Sequence, residues 1–112
     1  MTEASVRRGD VWWVSLDPTK GSETKKTRPC VVLTHNMVNR LRRTVVVVPL
    51  STKAKPHPPI TVPVTCDGKS AVAIIDQVRA VTKQRLQSRI EEMKIEELQE
   101  ICMALSSILE LP

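Results

Sequence analysis

The sequence predicts a mainly β domain with one C-terminal helix: a small antiparallel barrel or curled sheet with the helix packed on it. Three observations lead there. Short runs of strand-forming residues recur between Val11 and Ile90, separated by turn signals. The apolar spacing becomes helical only after Lys94. No long helical stretch lies between the strands, which excludes parallel crossover units. At 112 residues, the whole chain 1–112 is expected to be one domain.

Arg8–Leu16 (RGDVWWVSL) reads as the first strand. Alternation puts Trp12, Val14 and Leu16 on the more apolar face, and Val11, Trp13 and Ser15 on the other. Asp17-Pro18 ends it. Thr19–Thr27 is a polar loop with three lysines and a glycine. Cys30–Thr34 is a short, nearly continuous apolar strand, and His35–Arg43 has room for one helical turn. Thr44–Leu50 (TVVVVPL) is the strongest strand, because β-branched residues suit a pleated surface. Pro49 donates no N–H, so it belongs at an edge, a bulge or a strand end. Ser51–Pro59 is a basic loop with three prolines. Ile60–Val64 is a strand that tolerates Pro63 near an edge. Asp67-Gly68 marks a tight turn, and Ala71–Ile75, Val78–Val81 and Leu86–Ile90 are further strands.

After Lys94, the residues Ile95, Leu98, Ile101, Cys102, Leu105, Ile108 and Leu109 line one helical face. Glu96, Glu97 and Glu100 fall off that face. Glu91 and Glu92 are expected at its N-terminal end, where the helix dipole favours negative charge. The acids of 91–100 then read as a solvated helix face.

The net charge of +5 conceals an asymmetry. Residues 91–112 hold six acids and one base, leaving 16 bases against six acids in residues 1–90. A basic body of that kind suits a polyanion, and nucleic acid is the commonest one. The aromatics are Trp12 and Trp13 alone, too few for a surface that stacks several bases. Cys30, Cys66 and Cys102 are dispersed, and no metal-binding cysteine spacing occurs. They fit reduced thiols of a cytoplasmic protein, with Cys30 and Cys102 as core hydrophobes. Met1–Asp10 lacks the apolar stretch of a signal peptide. The Val45–Val48 run is far too short to cross a membrane.

Several chemistries are unsupported. There is no phosphate-binding glycine motif and no HExxH. His35 and His57 are the only histidines for acid–base work, and both read as exposed loop residues. Three polar segments at strand ends remain: Asp17–Glu23 with Thr27-Arg28-Pro29, Pro49–Lys53, and Asp76-Gln77. Loops held on a rigid scaffold commonly carry function.

These segments resemble the MazF/PemK toxins, the RNA-cleaving halves of bacterial toxin–antitoxin pairs. The resemblance rests on RGDVWWVSLDPTKGSE (Arg8–Glu23), TRPCVVL (Thr27–Leu33), VVPLST (Val47–Thr52) and AIIDQVRAV (Ala73–Val81), in order across about residues 8–109. It implies an SH3-like barrel of the CcdB/PemK type. It further implies a type II toxin: a metal-independent, cofactor-free, sequence-specific endoribonuclease that cuts single-stranded messenger RNA and so inhibits translation and growth. The ends it would leave are a 2′,3′-cyclic phosphate and a 5′-hydroxyl. The implied partners are a second copy of the chain, an acidic antitoxin of the MazE/PemI type, single-stranded RNA, and operator DNA only as the toxin–antitoxin complex, with no membrane.

Residue by residue, the resemblance makes Arg28 the catalytic arginine. Its guanidinium fork suits two phosphate oxygens. Ser51 aligns with a family threonine and is followed by Thr52, so either hydroxyl is a candidate. Asp76 and Gln77 match an acidic–Gln pair suited to reading base edges, with Arg79 in the same motif. Glu23 in the first loop would read a base edge likewise, and Lys20, Lys25, Lys26, Lys53 and Lys55 would hold the RNA backbone, with Thr19 and Thr27 beside them. Trp13 either stacks a base or packs in the core. The bland alternatives are a surface ion pair for Arg28, a strand-end cap for Ser51 and a turn residue for Asp76. Two other readings compete: a CcdB-like gyrase poison, which needs a tryptophan near its C-terminus that this chain lacks, and a non-catalytic SH3-like binding module.

Overall fold

The computed structural model describes residues 5–16 and 27–112. Its strands are β1 (Asp10–Ser15), β2 (Thr27–Val32), β3 (Thr44–Ser51), β4 (Thr61–Cys66), β5 (Lys69–Ile74), β6 (Arg79–Thr82) and β7 (Leu86–Glu92). The helices are α1 (Asn36–Leu41) and α2 (Ile95–Ile108). The strands form one antiparallel sheet in the order β4-β5-β3-β2-β1-β7, with β6 also on β3.

The middle of this sheet is buried on both faces. One core joins Val11, Val31, Val48 and Leu50 to Leu98 and Ile101 of α2. The other gathers Trp12, Val14, Cys30, Val32, Val45, Val47 and Val81. A strand covered on both sides has no reason to alternate. That explains the continuous runs of β2 and β3, while β1 alternates as expected, with Trp12, Val14 and Leu16 towards one core and Val11 towards the other.

β3 carries three partners. On one flank it pairs with β2, from Val32↔Val47 to Cys30↔Pro49. On the other it pairs with β6 up to Val47↔Arg79, then with β5 from Leu50↔Ala73. Pro49 therefore lies inside the sheet, at the break where one flank changes partner, and the missing N–H is tolerated there. Pro63 behaves as expected, on the edge strand β4 opposite Val72.

The Asp67-Gly68 turn has both residues at positive φ, 53° and 79°, the backbone a two-residue hairpin needs. Gly9 has φ +92°, and a Cβ there would meet Leu98 Cδ2 at 3.4 Å. Its N–H donates to Val32 O and its carbonyl accepts from Met93 N, so it ties β1 to both β2 and the start of α2. α1 spans Asn36–Leu41 and is capped by His35, whose Nδ1 accepts from Met37 N at 3.0 Å.

Three details of the C-terminal segment differ from expectation. Glu91 and Glu92 belong to β7 rather than to the helix start, because the strand must continue to pair with Val11 and Asp10. Along the predicted stripe, Leu98 and Ile101 are buried, whereas Ile95 and Leu109 are exposed. Cys102 is only half-buried, with Arg8 Nη2 3.3 Å from its Sγ, so it is not a core thiol.

Ile101→Ala should lower the free energy of unfolding in urea by about 2–5 kcal/mol, because it empties a site packed on all sides. Met103→Ala, on the exposed side of the same helix, should stay within about 0.5 kcal/mol.

Candidate functional site

The β2–β3 ladder ends at Cys30↔Pro49. Pro29 and Pro49 have no N–H to extend it. Continuing the register would set Arg28 opposite Ser51, but the strands part there. A cleft of about 460 Å³ opens between them, lined by Trp13, Thr27, Arg28, Pro29, Leu50, Ser51, Thr52, Lys53, Cys66, Asp67, Lys69, Ala71 and Ile90.

Ser51 is the fixed point of this cleft. It is 8% exposed, and its Oγ accepts from the backbone N–H groups of Lys53 (3.1 Å) and Ala54 (3.0 Å). The strand-end cap is therefore present. Two accepted bonds fix the oxygen and leave its proton available to a ligand. Thr52 is exposed and also lines the cleft.

Arg28 is half-buried, and among the described residues it makes no ion pair with a carboxylate. The ion pair within 4 Å among these residues is Arg89–Asp10, at 3.2 Å. Cys30 lies below Arg28, with its thiol 3.7 Å from the Arg28 carbonyl. Burial pushes this thiol up to about 12, against the pull of the nearby Arg79 and Arg28 guanidiniums. Such a thiol is an inert core group.

Trp13 is 40% exposed and lines the cleft, which decides against core packing for it. Trp12 takes the core position. Of the residues singled out in the sequence, Trp13, Thr27, Arg28, Ser51, Thr52 and Lys53 thus come together. Lys55, Asp76, Gln77 and Arg79 do not line this cleft. Asp76 and Gln77 sit exposed in a 3-10 turn, Ile75–Gln77, that follows β5, and Arg79 is on β6 opposite Val47. Thr19, Lys20, Glu23, Lys25 and Lys26 lie outside the described residues.

Asp67 and Lys69 are the polar residues that sequence reasoning missed. The Asp-Gly pair signalled a turn, but only the β4–β5 register, Cys66↔Lys69, brings that turn to the cleft. The turn is held from outside: Glu91 Oε2 accepts from Asp67 N at 2.8 Å, and Glu97 Oε2 from Thr65 N at 3.0 Å. This corrects the reading of residues 91–100 as a solvated helix face. Cys66 lies at the foot of this wall. Burial, then the Glu91 and Asp67 carboxylates, push its thiol up.

Cys30 gives a pH prediction. Its folded-state value lies above the unfolded one, so the unfolded chain loses its proton first as pH rises. This contribution to stability is complete below about pH 9 and falls as the pH climbs towards about 12. Urea titrations across that range should show the decline, and Cys30→Ala should flatten it. If the decline is equally steep in the variant, another group is responsible.

Comparison with known proteins places the chain. The profile of the family described as PemK-like, MazF-like toxin of type II toxin–antitoxin system matches residues 7–109. The endoribonuclease PemK of Escherichia coli is 34% identical over 112 residues, covering 96% of this chain and 84% of that protein. The endoribonuclease EndoA of Bacillus subtilis is 32% identical, covering 89% and 96%. Among solved structures, MazF from Deinococcus radiodurans superposes with a TM-score of 0.83 at 24% identity, over 97% of this chain and all of that one. A mycobacterial endoribonuclease solved in complex with its cognate antitoxin gives 0.80 at 23%, over 95% and 96%. These last two likenesses bear on the fold, which is that of a MazF-like half-barrel with a C-terminal helix. The profile match over nearly the whole chain, with relatives above 30% identity, makes this chain a member of the PemK/MazF family of type II toxin–antitoxin toxins.

Proposed function

We propose that this family member is an endoribonuclease whose reaction takes place in the Arg28–Ser51 cleft. The observation that carries the reading is a convergence where β2 and β3 part. An arginine with no carboxylate partner among the described residues, a fixed hydroxyl and Lys53 meet there. The relatives named endoribonuclease supply the reaction class.

The attacking group would be the ribose 2′-OH beside the cut. Its oxygen bonds to phosphorus, the bond to the 5′-oxygen breaks, and a 2′,3′-cyclic phosphate and a 5′-hydroxyl result. The 2′ proton leaves to a base, and the departing 5′-oxygen takes one up. Arg28 presents two parallel N–H donors to the non-bridging oxygens as negative charge accumulates, which is commonly the largest catalytic contribution. A guanidinium stays protonated in proteins, so Arg28 acts by charge rather than by proton transfer. Ser51 donates its hydroxyl proton to a phosphate oxygen, Lys53 holds a neighbouring phosphate, and Trp13 stacks a base at the rim. Thr52, exposed in the same cleft, is the alternative hydroxyl.

No bound metal or cofactor is assigned a step. The domain is taken as the single unit 1–112, working as a homodimer in the cytoplasm and restrained by an acidic antitoxin. No helix among the described residues is long and apolar enough to cross a membrane. Asp76, Gln77 and Arg79 would contact RNA beyond this cleft, as would Lys55 and, outside the described residues, Thr19, Lys20, Glu23, Lys25 and Lys26. A gyrase poison would have no use for such a set of cations, whereas a non-catalytic nucleic-acid-binding module would share it, and cleavage separates that module from a nuclease.

The test is cleavage of a long single-stranded RNA in EDTA. Wild type should give 5′-hydroxyl ends. Arg28→Ala should lose at least about 100-fold in rate, the scale for removing one transition-state donor. Full activity in Arg28→Ala, or intact RNA with inhibited DNA supercoiling, would overturn the proposal. Trp13→Ala should weaken RNA binding by about 1–3 kcal/mol, measured by fluorescence titration.

A further inference from the structure

A second groove lies at the opposite end of β3 from the cleft. It is about 490 Å³ in volume, between the end of α1 and the turn after β6. Arg40, Arg42, Arg43 and Lys83 line it, with the Thr82 and Gln84 side chains between them. No carboxylate is among the residues that line it, and none of the four cations is in an ion pair among the described residues. Its frame is rigid, because Lys83 N donates to Arg43 O at 2.8 Å and Thr44 pairs with Thr82. Leu41 stands 75% exposed at its edge.

Four like charges in one concave site repel one another, and an anionic ligand removes that cost. The spacing suggests which kind. The groove and the cleft are the two ends of one strand, roughly 23 Å apart for seven residues at ~3.3 Å each. Arg79 lies between them, opposite Val47, and close enough to act with Arg28 on the Cys30 thiol. Cations at both ends and the middle of one strand match an extended chain of evenly spaced charges. A compact anion would fill the groove alone.

We propose that the Arg40–Arg43/Lys83 groove binds backbone phosphates of single-stranded RNA several nucleotides away from the bond cut in the cleft. The groove grips phosphate and sugar without reading sequence, and Leu41 covers a ribose or base face. This rests on the ribonuclease reading and extends it. Arg79 bridges the two sites.

The experiment uses two oligonucleotides spanning a mapped cut site, one short enough to fill the cleft alone and one of about 16 nucleotides. Both are also made in 2′-O-methyl form, which lacks the attacking oxygen and permits binding measurements. The variants are the triple Arg40→Gln, Arg42→Gln, Arg43→Gln and, should that fold poorly, the single change Lys83→Glu at a half-buried position. Short-substrate cleavage should be unchanged in both. Binding of the longer 2′-O-methyl strand should weaken. The slope of log affinity against log salt should fall by about 0.7 for each phosphate no longer neutralised, about 2 for the triple variant. Equal slopes for wild type and variants would overturn the groove proposal while leaving cleavage intact. Absent cleavage by wild type would overturn the ribonuclease reading instead. Unchanged RNA binding together with variant-sensitive binding of polyglutamate would assign the groove to an acidic protein segment and overturn the proposal.

Discussion

β3 has to serve three partner strands, and the places where its ladders stop decide where this fold opens a cleft. A fully paired strand has no spare surface at its flanks. Two prolines, Pro29 and Pro49, end the β2 ladder near the C-terminal end of β3. The register still delivers Arg28 towards Ser51, but no backbone bond closes the gap. The cleft is thus what remains when a ladder is cut short between strands that the rest of the sheet holds in place. Burial of both faces of β1–β3 supplies that rigidity.

The elements themselves were largely legible in the sequence. The β-branched run of β3, the Asp-Gly turn and the helical period after Lys94 each state a local preference strongly, and tertiary structure agrees with all three. Less legible was anything that depends on which strand lies beside which. Pro49 read as an edge or end residue, because nothing local reveals a strand that changes partners midway. Glu91 and Glu92 read as helix-start acids, because their charge suits a dipole as well as it suits a strand end facing Asp10 and Val11.

The site divides the same way. Arg28 and Ser51 are 23 positions apart in sequence and face one cleft because the β2–β3 ladder stops just short of them, so a motif could name them but not explain their meeting. Asp76, Gln77 and Arg79 belong to one sequence motif, yet they sit in a 3-10 turn and on β6 and do not line this cleft. Asp67 and Lys69 reach the cleft although no motif marked them, since a turn residue and a site residue look alike in one dimension.

The acidic C-terminal segment then acquires a role that its charge alone did not suggest. A carboxylate that only solvates a helix can be replaced freely. Glu91 and Glu97 instead accept backbone N–H groups from the edge strand β4 and its turn, which have no strand neighbour on that side among the described residues. An open edge of that kind invites pairing with another chain, and here side-chain oxygens occupy two of its donors. The turn they hold carries Asp67 and adjoins Lys69, both of which line the cleft. The basic body supplies the groups that suit a polyanion, and part of the acidic segment shapes the cleft in which Arg28 and Lys53 stand.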